Sequence, residues 1–308
     1  MQITQIMRRL ILPALILIPV LSGCGGANTG ETAGDPEPAS RIETVTTDSF
    51  AMDYFQFGHG PKTLVILPGL SVQSVMGSAE AVAAAYQPLT DDYTIYLFDR
   101  RKELPPSYSV YEMAQDTAEA FRVLGLEQVD LFGVSQGGMI AAEIAIRYPE
   151  LVHKLVLGST AARIGEAEFQ TVEKWIALAR AADAQGLYLA FGEALYPEEV
   201  FEQSRELLAD AARSVTDEDL RRFVILAEGM RGFDVTEDLG AIACPVMVIG
   251  SMDDRVVGPE ASFQIAWQLK GRPDAVLFMY GGYGHAAYDT APDYKDRLLQ
   301  FFAPGSAD

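Results

Sequence analysis

One stretch, residues 129–148 (VDLFGVSQGGMIAAEIAIRY), constrains the rest of the chain more than any other. A short apolar, β-branched run from Val129 to Phe132 is cut off by Gly133, and beyond Ser135 an alanine-rich apolar run continues for about three helical turns. That is a strand, a sharp turn and a helix, with a serine at the turn. Gly133, Ser135 and Gly137 form G-x-S-x-G, a spacing in which strained backbone lifts the serine hydroxyl clear of the sheet edge and only glycine-sized neighbours leave room for it. Gly138, Ala141 and Ala142 let the helix lie close against the strand. The three-position match alone would arise by chance in roughly one chain in ten of this length and glycine content. Its weight comes from its place at a strand-to-helix junction, where the helix N-terminus sets partial positive charge beside the serine. The competing reading is a glycine-rich turn with a capping serine, and the remaining chain must decide.

At 308 residues and 49% hydrophobic content the chain has enough apolar surface for one large α/β core or two modest ones. A formal net charge of −20 argues against a groove for nucleic acid or for an anionic membrane surface.

Residues 1–23 are not fold. Arg8 and Arg9 precede an uninterrupted apolar run, residues 10–21, too short to span a bilayer, which takes about twenty residues. It reads as a signal peptide that ends Leu21-Ser22-Gly23-Cys24. Those four positions resemble the lipobox of bacterial lipoproteins, which implies a lipidated Cys24 as the mature N-terminus and an exported protein anchored on the extracytoplasmic side of a membrane. Residues 24–41 are poor in large apolar side chains and rich in glycine, proline and small polar residues, the composition of a flexible tether. Cys244 is the only other cysteine, so a lipidated Cys24 leaves no intramolecular disulfide to form.

Residues 42–308 read as the globular domain. Two alternating segments, 42–46 and 51–57, suggest an antiparallel hairpin at a sheet edge. Continuous apolar strands follow at 63–67, 93–98, 129–132, 154–158, 246–250 and 275–279, with helical patterns at about 77–86, 110–124, 260–269 and 291–302. Strands without alternation, separated by helices, imply a mostly parallel sheet covered on both faces. Between residues 161 and 234 strand signals vanish, and helices are expected at 166–182, 186–195, 198–211 and 217–228. That is too long for a connection and reads as a helical cap inserted into the α/β unit. Its aromatic residues, among them Trp175, Phe191 and Phe223, are expected mainly to form the cap's own core, with a few facing a site.

A serine at neutral pH is a poor nucleophile and needs a base, itself oriented by a carboxylate. His59 and His153 fall at the amino ends of their strands. His285 follows the strand at 275–279, at the carboxyl end, where open α/β sheets keep their sites. For the acid, Asp253 and Asp254 stand side by side after the strand at 246–250, and one of them is expected to pair with Arg255.

The order serine, acid, histidine, together with the elbow and the expected sheet, resembles the α/β-hydrolase superfamily over residues 42 to the C-terminus. That resemblance implies a cap between elbow and acid and a triad of Ser135, Asp254 and His285. The D-R-V-V run after Asp254 favours that residue, while counting from Gly250 favours Asp253. It also implies an oxyanion hole from the backbone amides of Gln136 and Leu70. Here the chain departs from the family's usual His-Gly, carrying Pro68-Gly69 instead. The implied chemistry is acyl transfer to water at a carboxylic ester or related bond of a small molecule, carboxylesterase-like, with no cofactor or metal. A serine rather than an aspartate at the elbow argues against dehalogenase and epoxide hydrolase chemistry. Two other readings stay open: transfer to an acceptor other than water, and a non-catalytic binding lipoprotein on the same scaffold.

Overall fold

The computed structural model describes residues 41–303. The signal peptide, Cys24 and nearly all of the expected tether lie outside the described residues.

A single eight-stranded sheet organises the domain. Its first strands, β1 (Arg41–Thr46) and β2 (Ala51–Gly58), form the expected hairpin. They are followed by β3 (Lys62–Leu67), helix α1 (Ala79–Ala85), β4 (Tyr93–Arg101), α2 (Val110–Val123), β5 (Val129–Val134), α3 (Gln136–Arg147) and β6 (Val152–Gly158). Four helices come next: α4 (Glu166–Arg180), α5 (Ala184–Leu195), α6 (Glu198–Ala211) and α7 (Asp217–Glu228). The chain then returns to the sheet with β7 (Val246–Ser251), α8 (Pro259–Gln268), β8 (Ala275–Tyr280), α9 (Ala287–Thr290) and α10 (Tyr294–Phe302).

The strand order is β1-β2-β4-β3-β5-β6-β7-β8. From β4 to β8 all neighbours run parallel, and β2 pairs antiparallel with both β1 and β4. Every residue of β5 and β7 is buried, which is why these strands carry no polar alternation. The chain leaves β3 for β4 on one side and returns to β5 on the other, so the order reverses between β3 and β5. Such a switch point opens a crevice at the carboxyl ends of the two strands.

Two elements differ from the periodicity. Helix 77–86 begins as a 3₁₀ turn, Val75–Ser78, before α1. The helix expected over 291–302 starts only at Tyr294, and the short α9 ends before it at Thr290, because Pro292 disfavours helical backbone at Ala291, which is extended (φ −76°, ψ 122°).

Helices α4 to α7 pack on one another, and Phe169, Trp175, Phe191, Phe223 and Phe233 are all buried. Where this unit leaves and rejoins the sheet, the two chain segments are zipped together: Ile164 donates to the Phe233 carbonyl (2.9 Å) and Val235 to the Ala162 carbonyl (2.8 Å).

Candidate active site

Ser135 sits between β5 and α3 with φ 53° and ψ −122°, a conformation costing an L-residue about 1–3 kcal/mol. The surrounding contacts over-determine it. Its amide donates to the Gly158 carbonyl (2.9 Å), and its own carbonyl accepts from the Thr160 hydroxyl (2.6 Å). A Cβ on Gly133 would stand 2.3 Å from the Gly137 carbonyl oxygen, and one on Gly137 only 2.1 Å from the Leu67 carbonyl oxygen. Both positions therefore require glycine for space, as the motif implies. The loop after β3 crosses directly above: Gly69 stands so near that a Cβ there would lie 3.2 Å from Ser135 Cβ. This puts Leu70 beside the elbow. Neither the Leu70 nor the Gln136 amide has a hydrogen-bond partner among the described residues, as an oxyanion site would need.

His285 is 1% exposed and leaves the carboxyl end of β8 in a loop with Gly282 and Gly284 at positive φ. Its Nδ1 lies 2.8 Å from Asp254 Oδ2. The other oxygen of Asp254 accepts the amides of Val256 (2.8 Å) and Val257 (3.1 Å). Burial by itself would raise this carboxyl, but the charge and hydrogen bond of His285 and the two amides hold it below its usual range.

Asp253 has a different task. Its Oδ1 accepts from the Gly282 amide (2.9 Å) and the Ser251 hydroxyl (2.9 Å), and its Oδ2 accepts from the Gly284 amide (3.0 Å). It holds the loop that carries His285. Neither aspartate pairs with Arg255, which donates to the Tyr196 carbonyl instead (3.2 Å); the expected Arg255 ion pair is absent because that guanidinium faces the α5–α6 junction. His153 lies inside β6 rather than before it, bonded to Asp130 (2.7 Å), and His59 lies on the surface near Asp91 (3.4 Å). Neither histidine comes near the carboxyl ends of the strands.

Several features are invisible in the one-dimensional pattern. The buried Arg100, near the end of β4, donates through Nη2 to the Pro68 carbonyl (2.8 Å) and to Gln136 Oε1 (3.2 Å). Gln136 Nε2 donates in turn to the Leu226 carbonyl of α7 (2.7 Å). Next to it, Arg222 of α7 pairs with Asp99 at 2.7 Å. In the sequence, only the Asp99-Arg100 pair after the strand at 93–98 could have pointed to this. A further junction joins the helical insertion to the histidine loop: Ala286 donates to the Leu195 carbonyl (3.0 Å), and the Tyr196 hydroxyl to Asp289 Oδ2 (2.8 Å).

Burial pushes the Asp289 carboxyl up to about 6, against the opposing pull of the Tyr196 hydrogen bond and the Lys295 charge. The folded protein thus holds this proton more tightly than the unfolded chain, whose carboxyl titrates near 3.9. Stability from this group is full below about pH 4 and is lost as pH rises through 6, an interval worth about 3 kcal/mol. Urea unfolding of Asp289→Asn beside the wild type is expected to show the difference between them moving by roughly 2–3 kcal/mol toward the variant between pH 4 and pH 7. A difference that stays flat over that range would rule this out.

The family profile described as "Alpha/beta hydrolase family" matches residues 64–294. The chain belongs to this family. A relative from Agrobacterium fabrum named for carbamate hydrolysis (RutD) is 30% identical over 260 residues, covering 80% of this chain and 97% of that protein. A 3-oxoadipate enol-lactonase of Acinetobacter baylyi is 25% identical over 222 residues, covering 70% and 80%. Among solved structures, the α/β hydrolase MGS-M2 from a Medee basin deep-sea metagenome library superposes with a TM-score of 0.75 at 21% identity, over 84% of this chain and 97% of that one. A thermophilic esterase from Thermogutta terrifontis gives 0.71 at 18%, over 87% and 100%. The structural likenesses speak to the fold, and the relatives' names support a hydrolase.

Proposed function

We propose that this α/β hydrolase cleaves a small, uncharged carboxylic ester or closely related acyl bond through an acyl-enzyme on Ser135. His285 takes and returns the proton, Asp254 orients the imidazole, and the amides of Leu70 and Gln136 hold the oxyanion. The observation that carries this reading is the buried His285–Asp254 pair at 2.8 Å, on the same sheet edge as the strained serine. With Asp254 bonded to Nδ1, Nε2 is the nitrogen left to exchange protons with a serine and a leaving group. Carbamates and lactones belong beside simple esters in a substrate panel, since relatives bear names for both.

A small cavity of about 40 Å³ adjoins the loop after β3, walled by Ile66, Leu70, Val82, Leu97, Val134 and Tyr288, and on this reading it seats a short acyl group. No charged side chain lines it, so a carboxylate there would be desolvated without a partner. Acetyl to butyryl p-nitrophenyl esters are expected to be the best substrates, with kcat/KM at least about tenfold lower for the octanoate. Fluorophosphonate labelling that maps to Ser135 by peptide mass spectrometry is the accompanying test. Folded protein that neither labels nor turns over any ester, lactone or carbamate would overturn the proposal, and equal rates from acetate to octanoate would overturn its size limit.

The same proposal places the enzyme outside the cytoplasm, tethered by lipid on Cys24. Its support is the lipobox-like Leu21-Ser22-Gly23-Cys24 after an apolar run. Cys24→Ala is expected to move the protein from the membrane pellet to the soluble fraction of a bacterial host; retention in the pellet would refute the lipid anchor.

A further inference from the structure

We propose that Arg100 is a positioning residue for the oxyanion hole, setting the spacing of its two backbone donors and tying that spacing to the seating of α7. The inference rests on the serine-hydrolase reading above and deepens it. The two donors come from different parts of the chain: Leu70 from the loop after β3, Gln136 from the first residue of α3. Nothing in the covalent chain fixes their separation.

One guanidinium nitrogen spans that gap. Arg100 Nη2 donates to the Pro68 carbonyl (2.8 Å), two residues before Leu70, and to Gln136 Oε1 (3.2 Å), on the residue that supplies the other amide. Proline at 68 removes one backbone torsion from the loop, so a fixed Pro68 carbonyl leaves little freedom before Leu70. Gln136 is fully buried and spends its other side-chain group on the Leu226 carbonyl (2.7 Å). That carbonyl lies in the last turn of α7, where helix carbonyls lack an intrahelical partner. Displacing α7 would therefore pull on Gln136, and through it on Arg100 and Pro68.

Stability gives a poor account of the same residue. Arg100 is 4% exposed, and its Nε has no acceptor among the described residues. Burying a cation with an unmet donor is costly, and an apolar side chain of similar volume commonly serves a core at least as well. Burial lowers its pKa to about 10, which still leaves it charged at neutral pH. Asp99 supplies counter-charge but is itself shared with Arg222 (2.7 Å). What the guanidinium provides that no apolar residue can is a donor nitrogen whose two hydrogens are held in one plane, each aimed at a different acceptor.

The test uses full-length protein in detergent, titrated to endpoint with a fluorophosphonate so that rates are expressed per reactive serine. Arg100→Gln and, separately, Gln136→Met, which keeps the backbone amide, are expected to lower kcat per titrated site about tenfold to a hundredfold with KM within about threefold, as expected for a sub-ångström misplacement of transition-state donors. Arg100→Lys, which keeps the charge and donors but loses the guanidinium's fixed plane and carries its nitrogen on a shorter, more flexible stem, should fall between. A variant that merely loses melting temperature or titratable sites, with kcat per site within about twofold of wild type, would overturn the proposal. So would a rise in KM at unchanged kcat. Should Arg100→Gln not fold, Gln136→Met alone decides between these outcomes. Wild-type protein that neither labels nor hydrolyses would instead refute the serine-hydrolase reading itself.

Discussion

Ser135→Ala is expected to lower kcat for p-nitrophenyl acetate by about 10⁴-fold or more while leaving a folded protein with an unchanged melting temperature to within a few degrees. On the proposed mechanism, removing the hydroxyl removes the bond-forming atom, and the buried His285–Asp254 pair would move protons but offer no acyl acceptor in its place. The residual rate comes from whatever the oxyanion amides and the pocket do for direct attack by water. Stability changes little because alanine at φ 53° is as strained as serine, and Ser135 Oγ makes no hydrogen bond among the described residues whose loss would count. Ser135→Gly separates strain from chemistry. It should be equally inactive yet more stable by about 1 kcal/mol, since glycine occupies this region freely. Turnover by purified Ser135→Ala within about tenfold of wild type would mean that another group carries the reaction.

How much of this was legible before the structure depends on whether a feature is local along the chain. The elbow was legible because its cause is local: the residues whose Cβ atoms would collide, Gly133 and Gly137, lie within two positions of the serine. His285 was legible by its position after an apolar strand, since parallel sheets place such loops on one edge. Between Asp253 and Asp254 the sequence favoured Asp254 only through the D-R-V-V resemblance, with counting from Gly250 favouring Asp253. Adjacent residues at the end of a strand point in different directions, and which direction meets the imidazole depends on how β7 and β8 register: Ser251 opposite Tyr280. Only that pairing sets Asp254 against His285 and Asp253 against the Gly282 and Gly284 amides. The Arg100 fork was less visible still, because its partners lie 32 and 36 residues away in sequence. Contacts formed through such closures leave no periodicity. The helical insertion shows both regimes: the bounds of α6 and α7 follow amphipathic spacing, with a Thr216 capping box starting α7, whereas the Tyr196–Asp289 bond crosses 93 residues and had no precursor in the pattern.

The two aspartates yield the sharpest remaining contrast. Asp254→Asn is expected to reduce kcat about 10⁴-fold with little change in KM, and Asp253→Asn by no more than roughly thirtyfold. An asparagine at 254 keeps the size of the side chain but can present its amide hydrogens to Nδ1, stabilising the tautomer whose proton sits on Nε2. That tautomer cannot accept the serine proton. It also removes the negative charge that would compensate an imidazolium 2.8 Å away in a site from which water is excluded, where both side chains are at most 2% exposed. Asp253, by contrast, meets two glycine amides and a serine hydroxyl, and an asparagine retains one carbonyl oxygen for them. Losing the other loosens the turn that aims His285 without changing the ring's proton. The expected signature is a modest fall in kcat with a normal pH profile. Steady-state kinetics of both variants over pH 5 to 9 tests the assignment. A dead Asp253→Asn beside a nearly active Asp254→Asn would reverse it, making the exposed carboxylate the orienting acid and leaving the buried pair as a structural bond.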